Sequence, residues 1–528
     1  MVDSVAALRA LSKAAYARAF VTGYRAAGDG GGGSYWYDPS DTTSVDNGGT
    51  IIVATDGGRW KLLSLHYVTL KTFGAYGDAD TGSPHDDTAA CQAALTWAAA
   101  SGVTLRATAG SYAISSAITV NTTTGGNISQ GGRRLSIVGD GKSNTSFVFT
   151  GNTNISLITV NGNYNDYFHA EGFRIQRKDA ASEFGIGLTI NNMVNFTLRA
   201  IECFRLDTGI VINDCNAVLL DDVTLRYNRL GLSAFYTSVS VPNAMTFSNC
   251  SINSNIQGGV SIVGGVTNVF LNCRLEGNGI TDAGTTTAGA KALYIRTHNP
   301  VNTDFMSALT MVSCYFEGNA GDADFYGDFR GATTVNISGT LFNRTNVSNY
   351  VVNDIVFDGS AMTGSSQPVA LEMSGNSFTS QGSYVPDVSR KAINYLHGAS
   401  YTGFQINDCN IYQNAVDTPL VDGSKDRLRG DQVKVLAMGN ITGATGVLNS
   451  NYGVTSVTKN ATGNFTINLK NSAATAMGSF EHVSGGANAG LIHQITNRTA
   501  SSITVQWMNP ALAAQDPVSF DFVLFPGF

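Results

Sequence analysis

The sequence predicts a mainly β protein: a right-handed parallel β-helix with an N-terminal capping helix, a small N-terminal module and a C-terminal antiparallel β-sandwich. Three observations carry that reading. Between about residues 170 and 415 one pattern keeps returning: apolar, polar, Cys-or-apolar, polar, apolar, polar, then Asn or Gly. Phe247-Ser-Asn-Cys250-Ser-Ile252-Asn-Ser-Asn255, Leu271-Asn-Cys273-Arg-Leu275-Glu-Gly-Asn278 and Val312-Ser-Cys314-Tyr-Phe316-Glu-Gly-Asn319 are nearly superimposable. Alternation at period two marks strands with one buried face, and a return every 22 to 41 residues marks stacked coils with the surplus in loops. The second observation is composition: 59 glycines, 10 prolines and only 13% charged residues suit many short strands joined by tight turns. The third is that the coil pattern stops near residue 431 and ordinary strand alternation takes over.

The elements follow in order. Ser4 ahead of Val5, Leu8 and Leu11 reads as a capped amphipathic helix. A glycine run, 28–33, and the aromatic trio Tyr35-Trp36-Tyr37 then lead to Ile51, Ile52, Val53 and Trp60, a small β module. We take residues 1–66 as an N-terminal attachment module and linker. Next, Asp86-Asp87-Thr88 opens a helix that ends at Gly102, with Asp as N-cap and Gly as the left-handed stop. A solenoid needs its open end covered, and a helix just before the first coil is placed to do it. Residues 67–430 form the capped β-helix with the substrate site. In 431–528, Val454-Thr-Ser-Val-Thr458, Phe465-Thr-Ile-Asn-Leu469 and Ile503-Thr-Val-Gln-Trp507 alternate as antiparallel strands of the sandwich.

Composition also excludes functions. A net charge of −7 gives no support for nucleic-acid binding and no global attraction for anionic polymers, so any such contact must use local Arg or Lys. Seven cysteines, three of them in one inward slot of successive coils, read as reduced core thiols. No apolar run approaches 18 residues, so no membrane insertion is expected, and no cleavable leader precedes the first helix; synthesis in a cytosol is the expectation. Gly139-Asp-Gly-Lys142-Ser143 imitates a phosphate-binding loop, but a strand follows it where the cradle needs a helix. The seven histidines lack metal-ligand spacing, and we expect no metal and no cofactor.

Phe73-Gly-Ala-Tyr-Gly-Asp78, the Asp86-Asp87-Thr88 helix start, Leu105 to Tyr112 and Leu135-Ser-Ile-Val-Gly-Asp-Gly141 resemble the leading segment of pectate-lyase-like β-helix proteins. The segment Tyr24 to Leu62, with Asn47-Gly-Gly and Gly-Gly-Arg-Trp60, resembles the linker ahead of the β-helix in bacteriophage tailspikes, the subgroup that fits the whole chain. The resemblance implies a virion tail protein made in the bacterial host cytoplasm, assembled as a homotrimer through the sandwich. It also implies attachment to another tail or baseplate protein through the N-terminal module, and binding and depolymerisation of a bacterial surface polysaccharide.

Aligning the coils on the inward cysteines gives the candidate site. Residues one and three places on point outward: Glu202 with Phe204, Thr224 with Arg226, Ser251 with Asn253, Arg274 with Glu276, Tyr315 with Glu317, Thr340 with Phe342. Glutamate is scarce, yet Glu276 and Glu317 take one slot of adjacent coils, about 4.8 Å apart. Paired carboxylates at such separations perform glycoside hydrolysis, one as general acid and the other as nucleophile or base. Arg226, Arg274 and Tyr315 flank the pair and suit an acidic sugar chain. The insertion from Gly279 to Ser307 adds Tyr294, Arg296, His298 and Asp304, and Asp322, Asp324, Tyr326 and Asp328 follow. An inverting hydrolase would pair Glu317 with one of Asp322, Asp324 and Asp328, and Asp304 is a further catalytic candidate, while Tyr294, Arg296 and His298 would hold substrate. In a lyase reading His298 or Tyr294 removes the proton beside a uronic carboxylate that Arg274 or Arg296 neutralises. A receptor-binding spike without catalysis needs the same rings and charges. The plain reading of the glutamates is two strand ends before Gly-Asn turns, with Asn278 and Asn319 forming a turn ladder.

Overall fold

The computed structural model describes the chain apart from residues 64–66, 123–133, 152, 164–165, 179–183, 237–241, 298–306, 345–350, 363–368, 381–390, 398–403, 413–426, 429–436, 471–475, 483–490, 500 and 527–528. Its two compact units are Met1–Thr402 with Asp408–Pro419, and Gly403–Asn407 with Leu420–Phe528.

In the closely matched coils of the first unit the chain turns three corners, and single residues with left-handed backbone make two of them. Asn249, Asn272 and Ser313 precede the cysteine slot with φ of 51–54°, and Ser254, Gly277 and Gly318 end the next short strand with φ of 54–62°. Only a left-handed residue turns an extended chain so sharply; Asn, Ser and Gly take these places in the closely matched copies, and Ala200, Arg205, Asp222 and Tyr227 take them in earlier coils. Such a coil gives one strand to each of three parallel ladders. In one coil these are Thr267–Leu271 in the first ladder, Arg274–Glu276 in the second and Lys291–Arg296 in the third. The next coil stacks Ser307–Val312, Tyr315–Glu317 and Gly321–Asp328 on them in parallel register. The parallel β-helix expected from the repeat is thus present, and its third ladder runs through ten strands.

Inside, like stacks on like. Cys250, Cys273 and Cys314 are buried in one column, and Phe247 lies 4.4 Å from Phe270, ring over ring. A second buried column is polar. Asn228, Asn255, Asn278 and Asn319 pass a side-chain hydrogen bond from coil to coil, each Nδ2 donating to the next Oδ1 at 2.9–3.0 Å. Each amide also meets corner backbone, as where Asn278 Nδ2 donates to Ile252 O at 2.9 Å, so the ladder satisfies groups the corners leave unpaired.

The coil containing 339–344 corrects the sequence alignment. Gly339, φ 58°, is the corner residue, so Thr340 sits in the cysteine slot and is buried with Phe342. The register pairs Leu341 with Tyr315 and Asn343 with Glu317. A slip of one residue exchanges inward and outward faces, and the expected outward pair Thr340 and Phe342 lies in the core.

The helix Thr88–Ser101 covers the open end, burying Cys91, Ala94, Leu95, Ala98 and Ala99 and stopping at left-handed Gly102. Its start differs from expectation. The Asp87 carboxylate does not cap the helix but accepts from Tyr76 N (2.6 Å) and Gly77 N (3.0 Å), and Asp86 receives Thr88 N instead. Burial pushes the Asp87 carboxyl above its ordinary value despite those donors.

Ahead of the coils, Arg18–Val21, Gly33–Tyr37, Arg59–Leu62 and Ile51–Val53 form a four-stranded antiparallel sheet in that order. The helix Val5–Arg9, capped by the Ser4 hydroxyl, packs Val5 and Leu8 with Tyr35, Ile52 and Trp60. This sheet meets the capped end through stacked groups. The Arg25 guanidinium lies 3.4 Å over the Tyr76 ring, which stacks on His85 at 3.7 Å. Phe73 lies so close to Gly49 that a Cβ there would fall 2.6 Å from the ring.

The second unit contains two four-stranded antiparallel sheets, around Ile441, Phe465, Ile467, Trp507, Phe520 and Phe522. No helix among the described residues is long and apolar enough to cross a membrane.

Candidate functional site

The second ladder carries two outward columns, because alternate residues of each short strand face away from the core. One runs Arg174, Glu202, Thr224, Ser251, Arg274, Tyr315, Leu341; the other runs Gln176, Phe204, Arg226, Asn253, Glu276, Glu317, Asn343. Glu276 stands directly opposite Glu317 in this register, and both are half-buried.

Glu317 is held on both oxygens. The Tyr315 hydroxyl donates to Oε2, and Asn343 Nδ2 reaches Oε1 at 3.4 Å. Burial and the hydrogen bond to this carboxylate raise the Tyr315 phenol above its ordinary pKa, so it remains a donor. Arg274 is exposed one strand from Tyr315. Arg226 lies two strands from Glu276 and is already engaged. Its Nε meets Glu202 at 2.5 Å, Arg174 takes the other Glu202 oxygen at 2.7 Å, and its guanidinium covers the Phe204 ring at 4.8 Å. Glu202, expected to face outward, is only 3% exposed between the two arginines.

The expected site residues do not form one cluster. Tyr294 and Arg296 stand in the third ladder, around the next corner from Glu276. They line a cleft of about 450 Å³ with Gln257, Lys291, Tyr326 and Asp328. The sequence placed them in the insertion beside the glutamates; the structure makes them part of a strand that begins a new face. Asp328 organises this cleft, accepting from Tyr294 Oη (2.9 Å), Arg296 Nε (2.8 Å) and Arg330 Nε (2.6 Å). Burial would push the Asp328 carboxyl up, but those three donors outweigh it and hold it below the usual carboxylate range. Burial and the same carboxylate drive the Tyr294 phenol up to about 12. Lys291, Tyr326 and Asp328 gained their places only through third-ladder register, which spacing from the second ladder does not reveal.

Asp324 is a correction. It is 2% exposed and turned inward, where Asn319 Nδ2 donates to it at 2.8 Å and ends the asparagine ladder. Burial and neighbouring Asp354, itself paired with buried Arg344 at 2.7 Å, push the Asp324 carboxyl well above its usual value. The strand Gly321–Asp328 does not alternate strictly: Ala323, Asp324 and Phe325 are buried in succession, while Asp322 and Tyr326 are half-exposed. His298 and Asp304 lie outside the described residues. Among the described residues no three His, Cys, Asp or Glu side chains are grouped to hold a metal.

Residues 1–65 match the model of the phage tail protein small four-stranded β-sheet domain. Among solved structures, the gp42 tailspike of Acinetobacter phage vb_AbaP_AS12 is similar with a TM-score of 0.56 and 15% identity, over 100% of this chain and 94% of that one. The tailspike protein of Acinetobacter baumannii phage AM24 follows at 0.51 and 13%, over 99% and 94%. A tailspike protein, gp49, from Acinetobacter baumannii bacteriophage Fri1, described as a capsular polysaccharide depolymerase, matches at 0.50 and 15%, over 99% and 98%. At these identities the likeness speaks to fold. The four-stranded sheet at the N-terminus thus matches a phage tail domain, and it leads into a chain with the fold of the phage tailspikes.

Proposed function

We propose that the protein is a virion tailspike that binds and depolymerises a bacterial surface polysaccharide by glycoside hydrolysis at Glu276 and Glu317. The observation that carries the reading is the facing of these two carboxylates on an open ladder of a tailspike fold. One strand spacing, about 4.8 Å, brings two carboxylates within reach of one glycosidic bond. Glu317, oriented through both oxygens by Tyr315 and Asn343, is fitted to be nucleophile or base; Glu276 is then the proton donor to the leaving oxygen. Arg274 and Tyr315 contact the sugar beside the pair, and Arg226 with Phe204 extends the track two to three coils upstream. Residues 1–65 attach the spike to another tail or baseplate protein, as the phage tail domain match supports. Three chains form the working assembly.

One observation weighs against Tyr294, though not His298, as the base of the lyase alternative. Its Tyr294 base would have to lose a proton from a phenol raised to about 12 by burial and by Asp328. The test is incubation of capsule, exopolysaccharide and O-antigen of the host bacterium with the protein and with Glu276→Gln and Glu317→Gln. New reducing ends without near-ultraviolet absorbance, falling roughly 10²-fold or more in either variant, are expected. An unsaturated product would replace hydrolysis with elimination. Unchanged polymer length with retained binding would leave a receptor-binding spike.

A further inference from the structure

We propose that the cleft on the third ladder is a second glycan site, separate from the glutamate pair and shaped for a sugar unit bearing a carboxylate. It goes beyond the reaction assigned to Glu276 and Glu317 and uses neither residue.

The cleft has the parts that sugar recognition needs. Tyr294 and Tyr326 occupy facing positions of adjacent coils, with ring centroids 5.9 Å apart, and offer apolar surface for the C–H face of a pyranose. Their hydroxyls are anchored from behind, Tyr294 on Asp328 at 2.9 Å and Tyr326 on Asp358 at 2.6 Å. Anchored rings lose little rotamer freedom when a ligand arrives. Two cations line the same space. Lys291 Nζ stands 5.0 Å from the Tyr326 ring centroid and 5.9 Å from that of Tyr294, and Arg296 is 40% exposed.

Charge decides between an acidic and a neutral ligand. The single carboxylate among the lining residues is Asp328, 4% exposed and already satisfied by Tyr294, Arg296 and Arg330. It holds the guanidinium in place without presenting negative charge to the cleft. What faces solvent in the cleft is therefore Lys291 and Arg296, with Asp322 paired to the lysine beside it. A guanidinium offers a carboxylate two parallel donors, while a lysine supplies a mobile point charge. Lys291 also meets half-exposed Asp322 at 3.0 Å, a contact that a bound carboxylate would compete for.

The experiment uses the full chain carrying Glu276→Gln and Glu317→Gln, so that cleavage and the charge of the pair play no part. Saturation-transfer NMR is recorded with sodium glucuronate and, separately, with glucose. Transfer to glucuronate well above that to glucose is expected. Adding Arg296→Gln or Tyr326→Ala should weaken glucuronate binding at least tenfold, while Tyr326→Phe, which keeps the ring, retains most of it. Circular dichroism melts confirm that each variant is folded. Equal transfer to both sugars, no transfer, or glucuronate binding that survives Arg296→Gln and Tyr326→Ala in folded protein would each overturn the proposal. None of these outcomes depends on whether the unmodified chain hydrolyses a polymer.

Discussion

The glutamate pair depends on a neighbouring tyrosine for its geometry. Tyr315 donates to Glu317 from two residues away on the same short strand, where alternation brings both side chains to one face. Replacing Tyr315 with Phe removes that donor while keeping the ring, and a hydrogen bond to a charged group contributes about 1.5–3 kcal/mol. Polymer cleavage by Tyr315→Phe should fall roughly 10- to 100-fold, with an unchanged melting temperature; a rate equal to the parent's would remove Tyr315 from the machinery. Asp324 acts on stability instead. Its carboxyl is raised in the folded chain, so the folded state keeps a proton that the unfolded chain releases above about pH 4. The burial of Asp324 therefore costs nothing in acid and costs progressively more as pH rises towards the folded value. Asp324→Asn, which still accepts from Asn319, should gain in melting temperature relative to the parent between pH 4 and pH 8. A constant difference across that range would contradict the assignment.

At the scale of the element, the corner and the asparagine ladder set the spacing of everything outside. Asn278 donates to Ile252 O and Asn319 Oδ1, and accepts from Asn255 Nδ2, all in the dry interior. Asn278→Ala strands those partners, and denaturant unfolding should show a loss of about 3 kcal/mol, since each orphaned buried group costs 1–3. Gly339→Ala should cost only about 1 kcal/mol by the same measurement, because its corner slot is filled by Asn and Ser in other coils. The repeat made the coils, the inward cysteines and the facing of Glu276 and Glu317 legible from sequence. It misled at Gly339, where a corner glycine was taken for the inward position and Thr340 and Phe342 changed faces. It also could not separate Tyr294 and Arg296 from the glutamates. Proximity along the chain says nothing about which side of a corner a strand occupies: the left-handed corners at Gly277 and Gly318 both lead into the third ladder, whatever the length of chain between corner and strand. Asp324 was misread for a related reason: polarity suggested an outward residue, but the end of a buried amide ladder needs a polar terminus.

For the whole molecule, assembly carries its own expectation. The trimer proposed from the tailspike resemblance predicts a sedimentation mass three times the 55.5 kDa of the chain, and a monomer at micromolar concentration would refute it. The join between residues 1–65 and the coils bears on what such an assembly does under load. Arg25, Tyr76 and His85 lie as a pile of flat groups, and Phe73 fills the space that Gly49 leaves. A chain tethered by a slack connector would pivot and shed any sideways pull. With its join packed, the same chain behaves as a lever: a tug on the far coils arrives at the N-terminal sheet as torque.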